Sequence, residues 1–267
     1  MTLLQAAILG IVQGFTEFLP ISSSGHLILA RTWMGLPAED TATFVFDVLI
    51  QLGTWVAVVA YFFKDLLAIG KAMLAGLRTR TASPNARLGW LVLLSMLPAV
   101  VVGWLIQDSM DQFSSMLWTG FFLIINALLL VAAEWLGKKQ RQLSELTSKD
   151  ALWIGLAQAI ALLPAVSRSA STLFGGMLRD LDRRQAARFA FLMSVPIMPA
   201  AGFVARLQVG GLPEASSLLL PIIVGFVAAA VVGYAAIRWL LRYLATHSFY
   251  PFAIYCTGLG ILILLLQ

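Results

Sequence analysis

The chain has 267 residues, 60% of them hydrophobic and only 12% charged, with a mean hydropathy of +0.88. Soluble domains carry about 25% charged residues, so this composition excludes an ordinary soluble domain. It points to one polytopic, all-α membrane domain spanning 1–267. The net charge is +5, but 15 of the 18 Lys and Arg fall in four segments, 64–87, 138–149, 179–188 and 238–247. That clustering is a positive-inside pattern, so the basicity reports orientation and no nucleic-acid partner is expected. A single cysteine, Cys256, excludes an internal disulfide and a cysteine zinc site. With two histidines, His26 and His247, no multi-histidine metal cage is expected.

In chain order, the first region, 2–36, holds Gln13, Glu17, Pro20 and the run Ser22-Ser23-Ser24-Gly25-His26. No basic stretch precedes its first apolar run, so no cleaved signal peptide is expected. Segments 44–62, 88–106 and 117–136 follow, each long and apolar enough to span. With the basic clusters inside, they run in, out to a loop with Asp108 and Asp111, and in again. The region 151–178 repeats the earlier pattern, with Gln158, Pro164 and Ser167-Arg168-Ser169-Ala170-Ser171-Thr172. Spans at 189–206, 217–237 and 249–266 complete the chain.

Both ends of 151–178 lie on the basic side, and the arms are too short to cross, so this region reads as a re-entrant helical hairpin. The same logic makes 2–36 a hairpin entering from the other side. Their tips are Pro164–Ser169 and Pro20–Gly25. Six transmembrane helices plus two such hairpins make an inverted-topology repeat, with halves of about 1–143 and 150–267. An offset of 145 residues aligns Gly10 with Gly155, Gln13 with Gln158, Phe44 with Phe189 and Phe46 with Phe191. In such folds broken helices meet near the midplane, so both tips are expected to share one polar site.

Each tip opens a helix with serines, leaving backbone N–H groups aimed at the tip, and Arg168 stands beside the second. Two helix N-termini plus a guanidinium suit a diphosphate. Near it the Glu17 carboxylate repels unless a divalent cation, Mg²⁺ or Ca²⁺, lies between. His26 can take a proton from a serine or give one to a leaving phosphate. Blander roles exist for each residue: Ser22–Ser24 as caps, His26 as a hydrogen-bonded core residue, Arg168 as a snorkelling cation. Three such accidents at two matched tips are a poorer account than one site. Asp47, Gln51, Asn126 and Gln158 read as interhelical glue. Glu134 reads as an interfacial partner of Lys138, and Arg179–Arg188 as a solvated face.

The residues resemble the undecaprenyl-diphosphate phosphatases, the family linked to bacitracin resistance. Its first signature is matched by Gln13, then Glu17-Phe18-Leu19-Pro20, then Ser22-Ser23-Ser24-Gly25-His26; its second by Pro164-Ala165-Val166-Ser167-Arg168-Ser169-Ala170-Ser171-Thr172. Ile50-Gln51-Leu52-Gly53 and Pro251-Phe252-Ala253-Ile254-Tyr255 also look familial. Two positions depart: Gln13 stands where many members have Glu, and Ala165 replaces a glycine. The resemblance implies a multi-pass enzyme of the bacterial plasma (inner) membrane that hydrolyses undecaprenyl diphosphate to the monophosphate, recycling the lipid carrier of wall synthesis. It implies Ser23 or His26 as the attacking or base residue, Arg168 as diphosphate clamp, and Glu17 as the metal-linked carboxylate. Ser167, Ser169 and Thr172 would donate to phosphate oxygens, with Gln13, Ser22, Ser24 and Gly25 completing the binding set. The partners expected are the polyprenyl diphosphate, the bilayer and, as one admissible assembly, a second copy in a homodimer. The cavity is expected to open to the outer, periplasmic side. A transporter or flippase of a phosphorylated lipid is the rival, since the fold alone suits it. A type-2 phosphatidic-acid phosphatase is rejected, because the only later histidine, His247, has no Asp after it.

Overall fold

The computed structural model describes residues 1–36, 41–80, 83–106, 111–113, 115–208 and 215–266, with the side chains of 41, 111 and 200–218 outside that description. It is all-helical; no strand occurs among the described residues. The helices are α1 (Leu3–Thr16), α2 (Ser23–Trp33), α3 (Thr41–Tyr61), α4 (Phe63–Thr79), α5 (Pro84–Ile106) and α6 (Met116–Leu136), then α7 (Ser148–Ala159), α8 (Arg168–Leu178), α9 (Arg183–Gln208), α10 (Ala215–Tyr243) and α11 (Tyr250–Leu265).

Among the described residues, four stretches are long and apolar enough to cross a membrane: Ala42–Tyr61, Pro84–Ile106, Met116–Leu136 and Leu219–Tyr243. The other two expected spans fall within α9 and α11. The first three turns of α9 carry Arg183, Arg184 and Arg188, and α11 has 16 residues, an axis of roughly 24 Å. The loop residue Asp108 lies outside the described residues. In the two motif regions the chain turns slightly before the expected tips, because Ser22 and Ser167 already cap α2 and α8. α1 and α2 have 14 and 11 residues, α7 and α8 have 12 and 11. None reaches the roughly 30 Å of a hydrocarbon core.

The segment after α3, read from sequence as a basic loop, is a helix. Lys64, Lys71 and Arg78 recur every seven residues, which puts the charge on one face of α4 and leaves Ile69 and Met73 to pack at Gly89 of α5.

The packing pairs arms with distant helices. α1 lies against α10, α7 against α5, and α6 against α11. The first two contacts are made by glycine. A Cβ on Gly10 would run into the Gly225 carbonyl on α10, and one on Gly155 into the Ser95 carbonyl on α5. Close backbone approach of this kind is how helices gain dispersion energy in lipid, where burial of apolar surface supplies no driving force.

Buried carboxylates tie the basic side together. Glu134 receives both Arg183 nitrogens at 2.6 Å, Lys139 at 2.9 Å and the Phe249 N–H at 2.8 Å. Its partners are therefore Arg183 and Lys139 and not Lys138, because the turn after α6 swings Lys139 back over the helix end. Asp150 accepts from Arg141, Arg179 and Thr147. Burial alone raises the Asp150 carboxyl, but the hydrogen bonds from Arg141, Thr147 and Arg179 outweigh it and hold the group well below the usual carboxylate range. Arg179, Arg183 and Arg188 are each ion-paired, so the stretch expected to be a free solvated face is largely a set of cross-links.

Candidate active site

The first tip is the turn Glu17–Ser22. Ser22 caps α2, its hydroxyl accepting the Gly25 N–H at 3.3 Å, and does so at φ 73°, in the left-handed half of backbone space. The second tip is Leu163–Ser167. Ser167 caps α8 by accepting from the Ala170 N–H at 3.1 Å. Helix geometry leaves the first N–H groups of α2 and α8 without intrahelical partners. Asn126 of α6 clamps the second tip from behind, donating to the Ala165 carbonyl at 3.1 Å and accepting the Ser167 N–H at 2.8 Å. The glue expected of Asn126 is thus applied to the site itself.

The two tips touch. Ser169 donates to the Phe18 carbonyl at 2.8 Å, and Arg168 Nη2 meets Glu17 Oε1 at 2.5 Å. On its other oxygen, Glu17 accepts from Gln13 Nε2 at 2.9 Å and from Ser23 Oγ at 2.7 Å. One buried carboxylate, its side chain 4% exposed, therefore joins Gln13, Ser23 and Arg168. A charge at this depth persists only when paired and hydrogen-bonded, and here every arm of the pairing comes from the two motifs.

His26 stands apart from that hub. Its Nδ1 lies 2.7 Å from the Ser22 carbonyl and its Nε2 2.7 Å from the Tyr255 hydroxyl, with the two rings stacked at 5.6 Å. A carbonyl only accepts, so Nδ1 carries the proton and Tyr255 donates to Nε2 in the neutral ring. The base in hydrogen-bond reach of Ser23 is Glu17, not His26. Tyr255, on α11, was noted in sequence only inside a familial stretch; nothing local to it marks a partnership 229 residues away.

Thr172 donates back to the Arg168 and Ser169 carbonyls, and Ser169 to Phe18, so these hydroxyl hydrogens are committed to the fold. Ser24, by contrast, is exposed to a cavity of about 310 Å³ beside the tips, lined also by Gln13, Ser23, Asp47 and Gln51. Asp47 is ion-paired there with Arg31. Gln158, expected to bind across helices, is buried with no partner for either amide atom among the described residues.

A divalent cation can be weighed against these donors. Glu17 is the one carboxylate at the tips, and no cluster of three His, Cys, Asp or Glu able to hold a metal occurs among the described residues. Such a set fits an ion that brings most of its oxygen ligands with it, as Mg²⁺ does with phosphate and water. It does not make a closed protein cage.

The Ala165 backbone explains a departure noted in the sequence. It sits at φ 60°, 1% exposed, between the Asn126 contact and the Gly25 backbone. Only glycine takes that conformation without strain, so the glycine that the resemblance implies for this position would meet a backbone requirement.

The chain is 42% identical over 277 residues to a Thermomicrobium roseum protein named undecaprenyl-diphosphatase, covering 99% of this chain and 98% of that one. Proteins of the same name from Rubrobacter xylanophilus (44% over 264 residues; 98% and 97% covered) and an Arthrobacter species (40% over 275 residues; 98% and 93%) match as fully. Residues 6–262 match the family described as bacitracin resistance protein BacA. With both signatures joined at Glu17 and near-full-length relatives at 40–44% identity, the chain belongs to the BacA bacitracin-resistance family.

Proposed function

We propose that the protein hydrolyses undecaprenyl diphosphate to undecaprenyl phosphate and inorganic phosphate. The observation that carries the mechanism is the Ser23–Glu17–Arg168 connection across the two tips. Glu17 accepts the Ser23 proton as Oγ attacks the terminal phosphorus, and the P–O bond to the bridging oxygen breaks. Arg168, drawn from Glu17 to the more highly charged diphosphate, and the N-termini of α2 and α8 stabilise the charge on the equatorial oxygens. His26, oriented by Ser22 and Tyr255, takes a proton at Nε2 from the water that cleaves the phosphoserine. Glu17 together with phosphate oxygens would hold Mg²⁺ or Ca²⁺, which supplies charge neutralisation when bound.

The same reading takes α1–α2 and α7–α8 as re-entrant hairpins of an inverted repeat in the inner membrane. Its support is the exchanged packing: each first arm lies on the penultimate helix of the other half, α1 on α10 and α7 on α5, through the glycines that the 145-residue offset aligns. Phosphate release from a long-chain polyprenyl diphosphate by the purified protein tests the function. Metal-dependent release that Ser23→Ala and Arg168→Ala both abolish is the expected result. A folded, lipid-binding wild type that releases none would sink it.

A further inference from the structure

A second polar cavity, about 710 Å³, lies at the opposite end of α3 from the site. It is lined by Tyr61, Lys64, Asp65, Arg184, Arg188 and Tyr234, among others. Fourteen residues of α3 separate Asp47, in the site cavity, from Tyr61 here, roughly 21 Å along the axis. The lining carries three cations against one carboxylate. Asp65 is taken by Arg188 at 2.7 Å, while Lys64 and Arg184 have no ion-pair or hydrogen-bond partner among the described residues. Two unpaired cations converging on one concave surface leave a charge that an anion would neutralise.

The surroundings specify more than a free anion. The cavity belongs to the basic side, which faces the anionic leaflet. Away from it along α10 run Tyr234, Val231 and Val227, exposed at 41%, 65% and 52% and spaced three and four residues apart on one face. On α3, Val56 lies one turn above Ala60, which lines the cavity. An anionic head seated among Lys64, Arg184 and Arg188 would have its chains against this stripe. Tyr61 and Tyr234 pack edge to face at 5.5 Å beside the cavity, and amphipathic rings of this kind favour the headgroup level of a bilayer.

We propose that this cavity is a binding site for the phosphate headgroup of an anionic lipid from the basic-side leaflet, separate from the hydrolytic site and independent of how that site works. Protein reconstituted in phosphatidylcholine nanodiscs containing phosphatidic acid would be released into the gas phase and its retained lipids counted by native mass spectrometry. The wild type should retain a phosphatidic acid that a Lys64→Gln/Arg184→Gln variant binds about thirtyfold more weakly, the effect of two lost charges near a lipid surface. Polyprenyl-diphosphate turnover and thermal unfolding in detergent should match in the two proteins, which separates lost binding from lost folding. Equal retention by both would overturn the proposal. So would displacement of the lipid by inorganic phosphate alone, which would make the cavity a free-anion site.

Discussion

Ser23 Oγ and Glu17 Oε2 stand 2.7 Å apart across the first tip, while Arg168, from a hairpin 151 residues away, holds the other Glu17 oxygen. The hydroxyl is aimed at the one carboxylate within reach of its proton, and the guanidinium pairs with that carboxylate until an anion competes for it. Glu17→Gln preserves the shape and removes the base, so kcat should fall by about 10²–10⁴-fold. Ser23→Ala should lose at least as much while still binding the diphosphate. The readout is single-turnover phosphate release beside lipid binding; full turnover by Ser23→Ala would move the attack to water.

Tyr255 meets the site through His26. Removing its hydroxyl in Tyr255→Phe keeps the stacked ring and frees the imidazole from its orienting donor. One ordinary hydrogen bond corresponds to about a tenfold change. That loss should appear in kcat with KM and thermal unfolding unchanged, and a purely structural Tyr255 would show the reverse.

The tips were legible in the sequence because their signals are local. Prolines stop one helix and serines cap the next within a few residues, so Glu17, Ser22–Ser24, Ser167 and Arg168 could be assigned to facing turns. What was not legible depends on packing between distant elements. His26 reads in the sequence as able to take a proton from a serine or give one to a leaving phosphate, and only the fold shows its ring held by Ser22 and by Tyr255 of α11. Ser169 was expected to donate to phosphate, and it instead latches the tips through Phe18. A hydroxyl or imidazole looks the same in sequence whether it meets ligand or backbone. The heptad spacing of Lys64, Lys71 and Arg78 did carry a signal for α4, which their charge alone hid.

Ala165 is strained at φ 60° in a buried turn. Ala165→Gly should relieve about 1 kcal/mol of left-handed strain, less the entropy glycine loses on folding, for a net gain of up to about 0.5 kcal/mol. Ala165→Val should destabilise the fold, because a β-branched side chain tolerates that conformation least. Thermal unfolding of the three proteins in one detergent orders them Gly, Ala, Val; any other order would remove the backbone explanation.

Asp150 gives the fold an acid limit. Its carboxyl titrates below the ordinary value of about 3.9, so the stability it contributes is complete above that value and is lost as pH falls through the lower, folded one. Unfolding midpoints measured downward from neutral pH should therefore drop once the pH passes about 4. Asp150→Asn should be weaker throughout, by about 2 kcal/mol given the partly exposed arginines, and flatter across the acid range.

Under the proposed function, the pairing of Glu17 with Arg168 would also govern when a divalent cation enters. With both Glu17 oxygens engaged by Gln13, Ser23 and Arg168, the described residues of the tips present no free carboxylate to a divalent ion. The diphosphate changes that by drawing Arg168 to itself and adding phosphate oxygens beside Glu17. Binding of Mg²⁺ or Ca²⁺ and of diphosphate should then be mutually dependent, each tightening the other by the same factor. Equilibrium dialysis with the ion should register weak binding to the free protein and stoichiometric binding once a non-hydrolysable polyprenyl diphosphate is present. In Glu17→Gln the two ligands should bind independently. Tight ion binding to the free protein would mean that Glu17 and Arg168 are not paired at rest.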